Sequence, residues 1–391
     1  MRDNDRRYEW LAWMVWVIPL IPICTKVALA SQSINVIEVY SQACDHWWAR
    51  SDIYIGRIGM NYLPIFVMMF SPFNALGMPQ GDILWRIVCL LCVAWSVRRL
   101  ITLVTPQPSS RIFLWASVFV MPVCLGAVRF GQANEPFAAA TALAAVFLIE
   151  RRWKMAGTAI ATAIALKPLG IVLALLAMCG YRRVIIPVVV GIFAILLIPF
   201  AFGPPEYVLA QYQGLISNMR DCSDVTTHNR QYANLNGIFQ ALSIHMPSTA
   251  MKVLTLSAAF GTLILWLFAA RRVEEPERGL LLLSLATIYL MLFNPMNESN
   301  SFVIVAPAII AVAVRCHQSE NGEALSRFLV SMLFCTWLLT DLIHMVDLNA
   351  RMWGKPLFAG IGFLVVVLFR TRSLMRSEPA LSSVSASIEN L

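Results

Sequence analysis

The chain has 391 residues, 59% of them hydrophobic and 13% charged, with a formal net charge of +8. Soluble domains average about 25% charge, so that composition and a mean hydropathy of +0.69 exclude one. The positive charge sits in short stretches between apolar runs, a pattern of membrane topology that argues against nucleic acid as a partner.

Runs of about 20 apolar residues, the length that crosses a bilayer core, recur throughout. The first, 10–30, is too long for a signal-peptide core and lacks a small-residue exit, so it is expected to stay as a span. Arg2, Arg6 and Arg7 before it place the N-terminus in the cytoplasm, because cytoplasmic loops collect Lys and Arg. Inner clusters follow at Arg98, Arg99 and Arg111, at Arg151, Arg152 and Lys154, and at Arg182 and Arg183. Further clusters stand at Arg271, Arg272 and Arg278, at Arg315 and Arg327, and at Arg370, Arg372 and Arg376. One topology satisfies all of them. Outward spans are expected at 10–30, 112–129, 184–203, 279–295 and 328–346, and inward spans at 83–104, 134–150, 249–270, 301–315 and 356–370. The expected fold is an all-α polytopic membrane bundle of about ten spans, with both termini cytoplasmic. Residues 1–372 form the membrane domain and 373–391 a Ser-rich tail expected to be disordered.

Two pieces do not fit as spans. Segment 62–77 is apolar but short and contains Pro64 and Pro72, so it reads as a juxtamembrane helix of the outer side. Segment 155–180 has basic residues at both ends and is too short to cross twice. A re-entrant helical pair broken at Lys167-Pro168 accommodates it, since Pro interrupts a helix and such breaks are tolerated along a cavity. Segments 31–82 and 204–248 are then two long outer loops, which directs attention to the extracytoplasmic face.

Polar residues beside membrane spans are expensive and are functional candidates by default. In the first outer loop Glu38, Asp45 and Asp52 stand among Tyr40, Trp47, Trp48 and Tyr54, in helix-like spacing. A carboxylate at a cavity mouth can act as a general base, or it can be a solvated loop acid. Outer-side cations are scarce, so Arg129, Arg220, Arg230 and Lys252, with Lys167 at the kink, suggest an anionic ligand such as a phosphate; the alternative is snorkelling to lipid headgroups. Gln132 and Asn134 open a helix at the outer surface, where their amides could bind sugar hydroxyls or cap the helix. Asn234, Asn236 and Glu298 add amides and an acid to the same face. The tripeptide Asn297-Glu298-Ser299 matches a glycosylation sequon that is common by chance.

Nine cysteines are scattered through apolar runs. Cys89 and Cys92 share a helix face without a second pair or a histidine cluster, which reads as small buried hydrophobes. No Gly-rich phosphate loop, HExxH or G-x-S-x-G occurs. No cofactor is indicated, and the sequence leaves a divalent metal open.

Together these residues resemble glycosyltransferase family 87, polyprenol-phosphate-dependent enzymes of the GT-C superfamily. The resemblance rests on Val39-Tyr40, Asp52-Ile53-Tyr54, Tyr62-Leu63-Pro64, Ser71-Pro72-Phe73 and Leu84-Trp85. It continues through Gly131-Gln132-Ala133-Asn134, Ala156-Gly157 with Lys167-Pro168, Asn234-Leu235-Asn236-Gly237 and Asn294-Pro295. It implies a GT-C-type helical bundle in a bacterial cytoplasmic membrane. The implied reaction passes a hexose or pentose, often mannose, from a polyprenyl-phosphate donor to a lipid or glycan hydroxyl on the outer face. The family places an Asp shortly before Val-Tyr; here the stretch reads Asn35-Val36-Ile37-Glu38, so Glu38, Asp45 or Asp52 is the expected base. Other readings are an inactive family member and a transporter or flippase of lipid-linked sugars. Transporters usually show paired broken helices, whereas one candidate break is visible here.

Overall fold

A computed structural model describes residues 3–29, 36–55, 60–106, 109–229, 232–319, 322–347 and 349–376, without the side chains of 221–229. Every regular element among them is helical. The first part of the bundle comprises α1 (Asp3–Val17), α2 (Leu20–Leu29), α3 (Ile37–Trp48), α4 (Pro64–Asn74), α5 (Gln80–Val104), α6 (Ser110–Phe130) and α7 (Asn134–Ile149). Next come α8 (Trp153–Leu166), α9 (Ile171–Gly180), α10 (Ile185–Leu197), α11 (Pro205–Asn229), α12 (Leu235–Ala241) and α13 (Ser248–Ala270). The last part holds α14 (Glu277–Phe293), α15 (Ala306–His317), α16 (Glu323–Phe334), α17 (Thr340–Ile343), α18 (Ala350–Lys355) and α19 (Phe363–Arg376).

Among the described residues eight helical stretches are long and apolar enough to cross a membrane: Asn4–Leu29, Gln80–Val104, Ser110–Phe130, Arg182–Ala201, Ser248–Ala270, Ser299–His317, Glu323–Ile343 and Ala350–Met375. The chain is an all-α polytopic membrane protein. The other two expected crossings are also helices, but α7 has 16 residues and α14 has 17. At 1.5 Å per residue each rises only about 24–26 Å, short of a core about 30 Å thick. Both are buried along most of their length, so neighbouring helices rather than lipid surround them. Segment 204–248, expected as a loop, is largely the 25-residue α11 followed by α12. At the C-terminus α19 continues through Arg376, and 377–391 lie outside the described residues.

The centre of the bundle is built on small side chains. Ala138, Ala139, Ala140, Ala142, Ala144 and Ala145 are buried along α7, which packs against α5 and α8. Small residues let helix backbones approach closely where lipid removes the usual hydrophobic driving force. Gly157 on α8 has the same role: a Cβ there would collide with Pro187 on α10.

Charge separates the two ends of the bundle. At one end Arg98 pairs with Glu9 at 2.7 Å and Arg99 with Glu150 at 2.5 Å. Arg315 and Arg370 converge on Glu277 at 2.8 and 2.5 Å, and Arg278 donates to the Gly180 carbonyl at 2.6 Å. At the opposite end lie α3, α4 and the turns that precede α7 and α15. Helix α8 starts at the arginine-rich end, and its 14 residues carry it about 21 Å along the bundle. Lys167 then adopts an extended conformation (φ −152°, ψ 129°), and α9 returns toward Gly180. The expected break at Lys167-Pro168 is therefore present, at the same level as the N-terminus of α7.

Replacing Gly157 with Leu should wedge α8 from α10 and cost about 1–3 kcal/mol. Thermal unfolding of the purified protein should show a lowered Tm.

Candidate functional site

The site begins where α6 ends. Gly131 adopts a left-handed conformation (φ 65°), the usual way to close a helix C-terminus, and Gln132 N donates to Ala127 O at 3.1 Å. A Cβ on Gly131 would collide with Ile37 of α3, so glycine is required twice over. Four groups hold this turn. Arg86 of α5 donates to the Val128 carbonyl and, at 2.7 Å, to that of Arg129. Trp85 Nε1 donates to Gly131 O at 3.0 Å, and Val36 N to Phe130 O at 3.1 Å. Ala133 N donates to the Tyr40 hydroxyl at 3.3 Å. Arg86 is itself 1% exposed and is gripped by Asp82 at 2.6 and 3.1 Å.

Presented by that turn is a chain of polar side chains. Lys167 Nζ donates to Asn134 Oδ1 at 2.5 Å, Asn134 Nδ2 to Gln132 Oε1 at 2.6 Å, and Gln132 Nε2 to Glu298 Oε2 at 2.5 Å. Each amide turns its oxygen toward the ammonium and its nitrogen toward the carboxylate, so the dipoles reinforce one another. The cation and the acid do not touch; two amides hold them apart. Among the described residues Lys167 makes this one hydrogen bond, which leaves two ammonium N–H groups for a ligand, and Glu298 is exposed. The N-terminus of α7 adds its positive dipole end beside Asn134.

Two tyrosines line the first-loop side. The Tyr40 and Tyr62 hydroxyls are 2.9 Å apart, and both side chains are buried in an aromatic cluster with Phe66, Phe70 and Trp85. Burial holds both phenols protonated, well above the usual tyrosine range. They serve as hydrogen-bonding groups rather than bases. Glu135 lies directly after Asn134, fully buried, with neither carboxylate oxygen hydrogen-bonded.

The expected site residues are distributed unevenly. Lys167, Gln132, Asn134 and Glu298 come together. Arg129 is exposed, its guanidinium over the Phe130 ring at 5.7 Å, and among the described residues no hydrogen bond or ion pair joins that guanidinium to Gln132, Asn134 or Glu298. Glu38 is exposed on the first turn of α3 and accepts from Gln42 at 3.1 Å. Asp45 accepts from Asn74 of α4 at 3.0 Å. Asp52 accepts from Tyr54 N at 2.9 Å in a loop tied to α11 by Gln211, which accepts from Ile53 N at 3.0 Å. These three acids thus serve three different local structures. Arg220 is exposed on α11, and Arg230 lies outside the described residues. Asn234 is committed to the fold: its amide nitrogen donates to Asn294 O at 3.0 Å and its Oδ1 caps Gly237 N at 3.2 Å. Asn236 is half-buried on α12. Asn297 is fully buried and donates to the Ala233 and Met291 carbonyls, so its sequon has no reachable amide.

The sequence reading missed Arg86, Asp82 and the Tyr40–Tyr62 contact as the supports of the site. A buried i, i+4 acid–base pair inside an apolar run was the available signal. Among the described residues no three His, Cys, Asp or Glu side chains gather as a metal site.

Fold and site define a polytopic membrane protein with a polarised cation-to-acid array at the end of the bundle opposite the Arg98, Arg99, Arg315 and Arg370 ion pairs. A family model described as glycosyltransferase family 87 matches residues 61–295, and the chain belongs to that family: it is a glycosyltransferase. The match spans Gln132, Asn134 and Lys167 and stops just short of Glu298. No curated protein and no solved structure matches the chain.

Replacing Arg86 with Met would remove the guanidinium that pairs with buried Asp82, at a cost of about 3–5 kcal/mol. Loss of folded protein in detergent is the expected outcome. The double substitution Asp82→Leu with Arg86→Met should recover part of that loss.

Proposed function

We propose that the protein moves a hexose or pentose, mannose-like in class, from a polyprenyl-phosphate donor to a hydroxyl of a lipid or glycan acceptor. The observation that supports this most directly is the array from Lys167 to Glu298: a cation with open N–H groups at one end, an exposed carboxylate at the other. Its place opposite the arginine-rich end corresponds, by the positive-inside rule, to the extracytoplasmic face of a bacterial cytoplasmic membrane.

In this reading the isoprenoid tail lies among the helices and the donor phosphate meets Lys167 and the N-terminus of α7, a favourable place for an anion. Gln132 and Asn134 orient both ends of the array, and Asn236 contributes to acceptor binding. Glu298 takes the proton of the acceptor hydroxyl. The acceptor oxygen bonds to the anomeric carbon as the bond from that carbon to the phosphate oxygen breaks, with inversion. The electron pair leaves with the polyprenyl phosphate, and Lys167 stabilises the charge that develops there. Glu298 takes the role the sequence assigned to Glu38, Asp45 or Asp52, because the Gln132 amide donates to it and links it to Asn134 and Lys167.

Transfer from labelled polyprenyl-phosphate mannose in membranes tests this. Lys167→Ala and Glu298→Gln should each lower the rate by about two to three decades, with release of polyprenyl phosphate lost in parallel. Glu38→Gln, Asp45→Asn and Asp52→Asn should stay near the parent rate. Full activity in Lys167→Ala would refute the phosphate assignment. A silent Glu298→Gln beside a dead Glu38→Gln would return the base to the first loop.

A further inference from the structure

A cavity of about 500 Å³ lies between α6, α15 and α16, at the opposite end from the array just described. Arg111, His317, Gln318 and Ser326 line its mouth, and Trp115, Phe119, Ile310, Ala313, Val314 and Val330 line its depth. Eight residues of α6 separate Arg111 from Phe119, so the groove runs about 12 Å along the helix. That is less than half of a hydrocarbon core about 30 Å thick.

The rim carries the exposed guanidinium of Arg111 beside His317. Among the described residues Arg111 forms no ion pair; Glu9, which accepts from the Ser110 hydroxyl at 3.1 Å, is paired with Arg98 at 2.7 Å, and Glu323 with Arg327 at 3.5 Å. Ser110 and Arg111 are the first residues of α6, whose N-terminal amides and dipole favour an anion. The side chain of Trp115, 54% exposed, stands one turn deeper, at the level where tryptophan meets lipid headgroups. An apolar slot of one-leaflet depth with a phosphate-binding rim matches an amphiphile, and basic pockets between spanning helices suit anionic headgroups.

We infer that this groove binds one anionic glycerophospholipid, its phosphate at Arg111 and one acyl chain between Trp115, Phe119 and Val330. A long isoprenoid would overrun a slot of this depth, so the site is distinct from that of the donor. The groove does not depend on the reaction proposed above.

The test uses the full-length protein in detergent, with bound lipid counted by native mass spectrometry during titration with phosphatidylglycerol or phosphatidylcholine. The parent should retain one phosphatidylglycerol in preference to phosphatidylcholine. Arg111→Gln should weaken that binding about fivefold, the effect of one cation near a membrane surface, while Arg327→Gln at the same end should not. Ala313→Leu, which fills the slot and leaves the rim intact, should lower retention of both lipids. Equal retention of the two lipids by the parent would overturn the inference, as would an Arg111→Gln protein with unchanged preference. A polyprenyl phosphate displacing phosphatidylglycerol from the parent, but not from Arg111→Gln, would overturn it as well.

Discussion

A helix that ends inside a low-dielectric bundle leaves carbonyl groups with no amide to satisfy them, and each costs several kcal/mol if left bare. At the end of α6 Gly131 N serves the Val128 carbonyl at 3.1 Å, and Arg86 reaches across from α5 to that carbonyl and to the carbonyl of Arg129. Arg86 can be buried only because Asp82, one turn earlier, neutralises it. With those carbonyls satisfied, Gly131 can reverse the chain and α7 can begin within four residues. The whole polar array, from Asn134 onward to Lys167 and back to Glu298, hangs on that turn.

The same constraint separates residues that hold the site from residues that form it. Asn234 looks like a ligand-binding amide in the sequence and Asn297 like part of a sequon, yet both tie the second loop to the turn around Asn294. They satisfy backbone carbonyls that would otherwise be bare. Gln132 and Asn134 belong to the array itself, because their partners are other side chains whose opposite ends stay open. Lys167 gains its position from a helix break: Pro168 cannot continue α8, and the extended backbone at Lys167 delivers its ammonium to the first turn of α7.

Two ends of one bundle thus do different work. The arginine-rich end is closed by ion pairs that tie α1 to α5, α5 to the end of α7, and α14 to α15 and α19. The other end is built from short helices, α3, α4 and α12, that are too brief to cross and pack as a cover over the turns. Tyr40 is where that cover touches the site, bonded at once to Tyr62 and to the turn before α7. Its buried phenol stays neutral, so it can hold the turn without adding charge.

Much of this was legible in the sequence because it is local. Long apolar runs, the break at Lys167-Pro168 and the Gly131-Gln132-Ala133-Asn134 turn depend on periodicity and backbone chemistry within a few residues. The helix α11 lay in a segment expected as a loop because its composition is too polar for a span, although Val208, Tyr212, Leu215 and Met219 recur at helical spacing. The pairing of acid with cation was not legible: Glu38, Asp45, Asp52 and Glu298 are equivalent as carboxylates in a chain, and only packing brings Glu298 beside Gln132, 166 positions away. Composition and spacing by themselves determined a helical membrane protein with its chemistry among a few polar residues. Which of those residues meet was decided by tertiary structure, because hydrogen bonds between distant segments depend on how the helices pack.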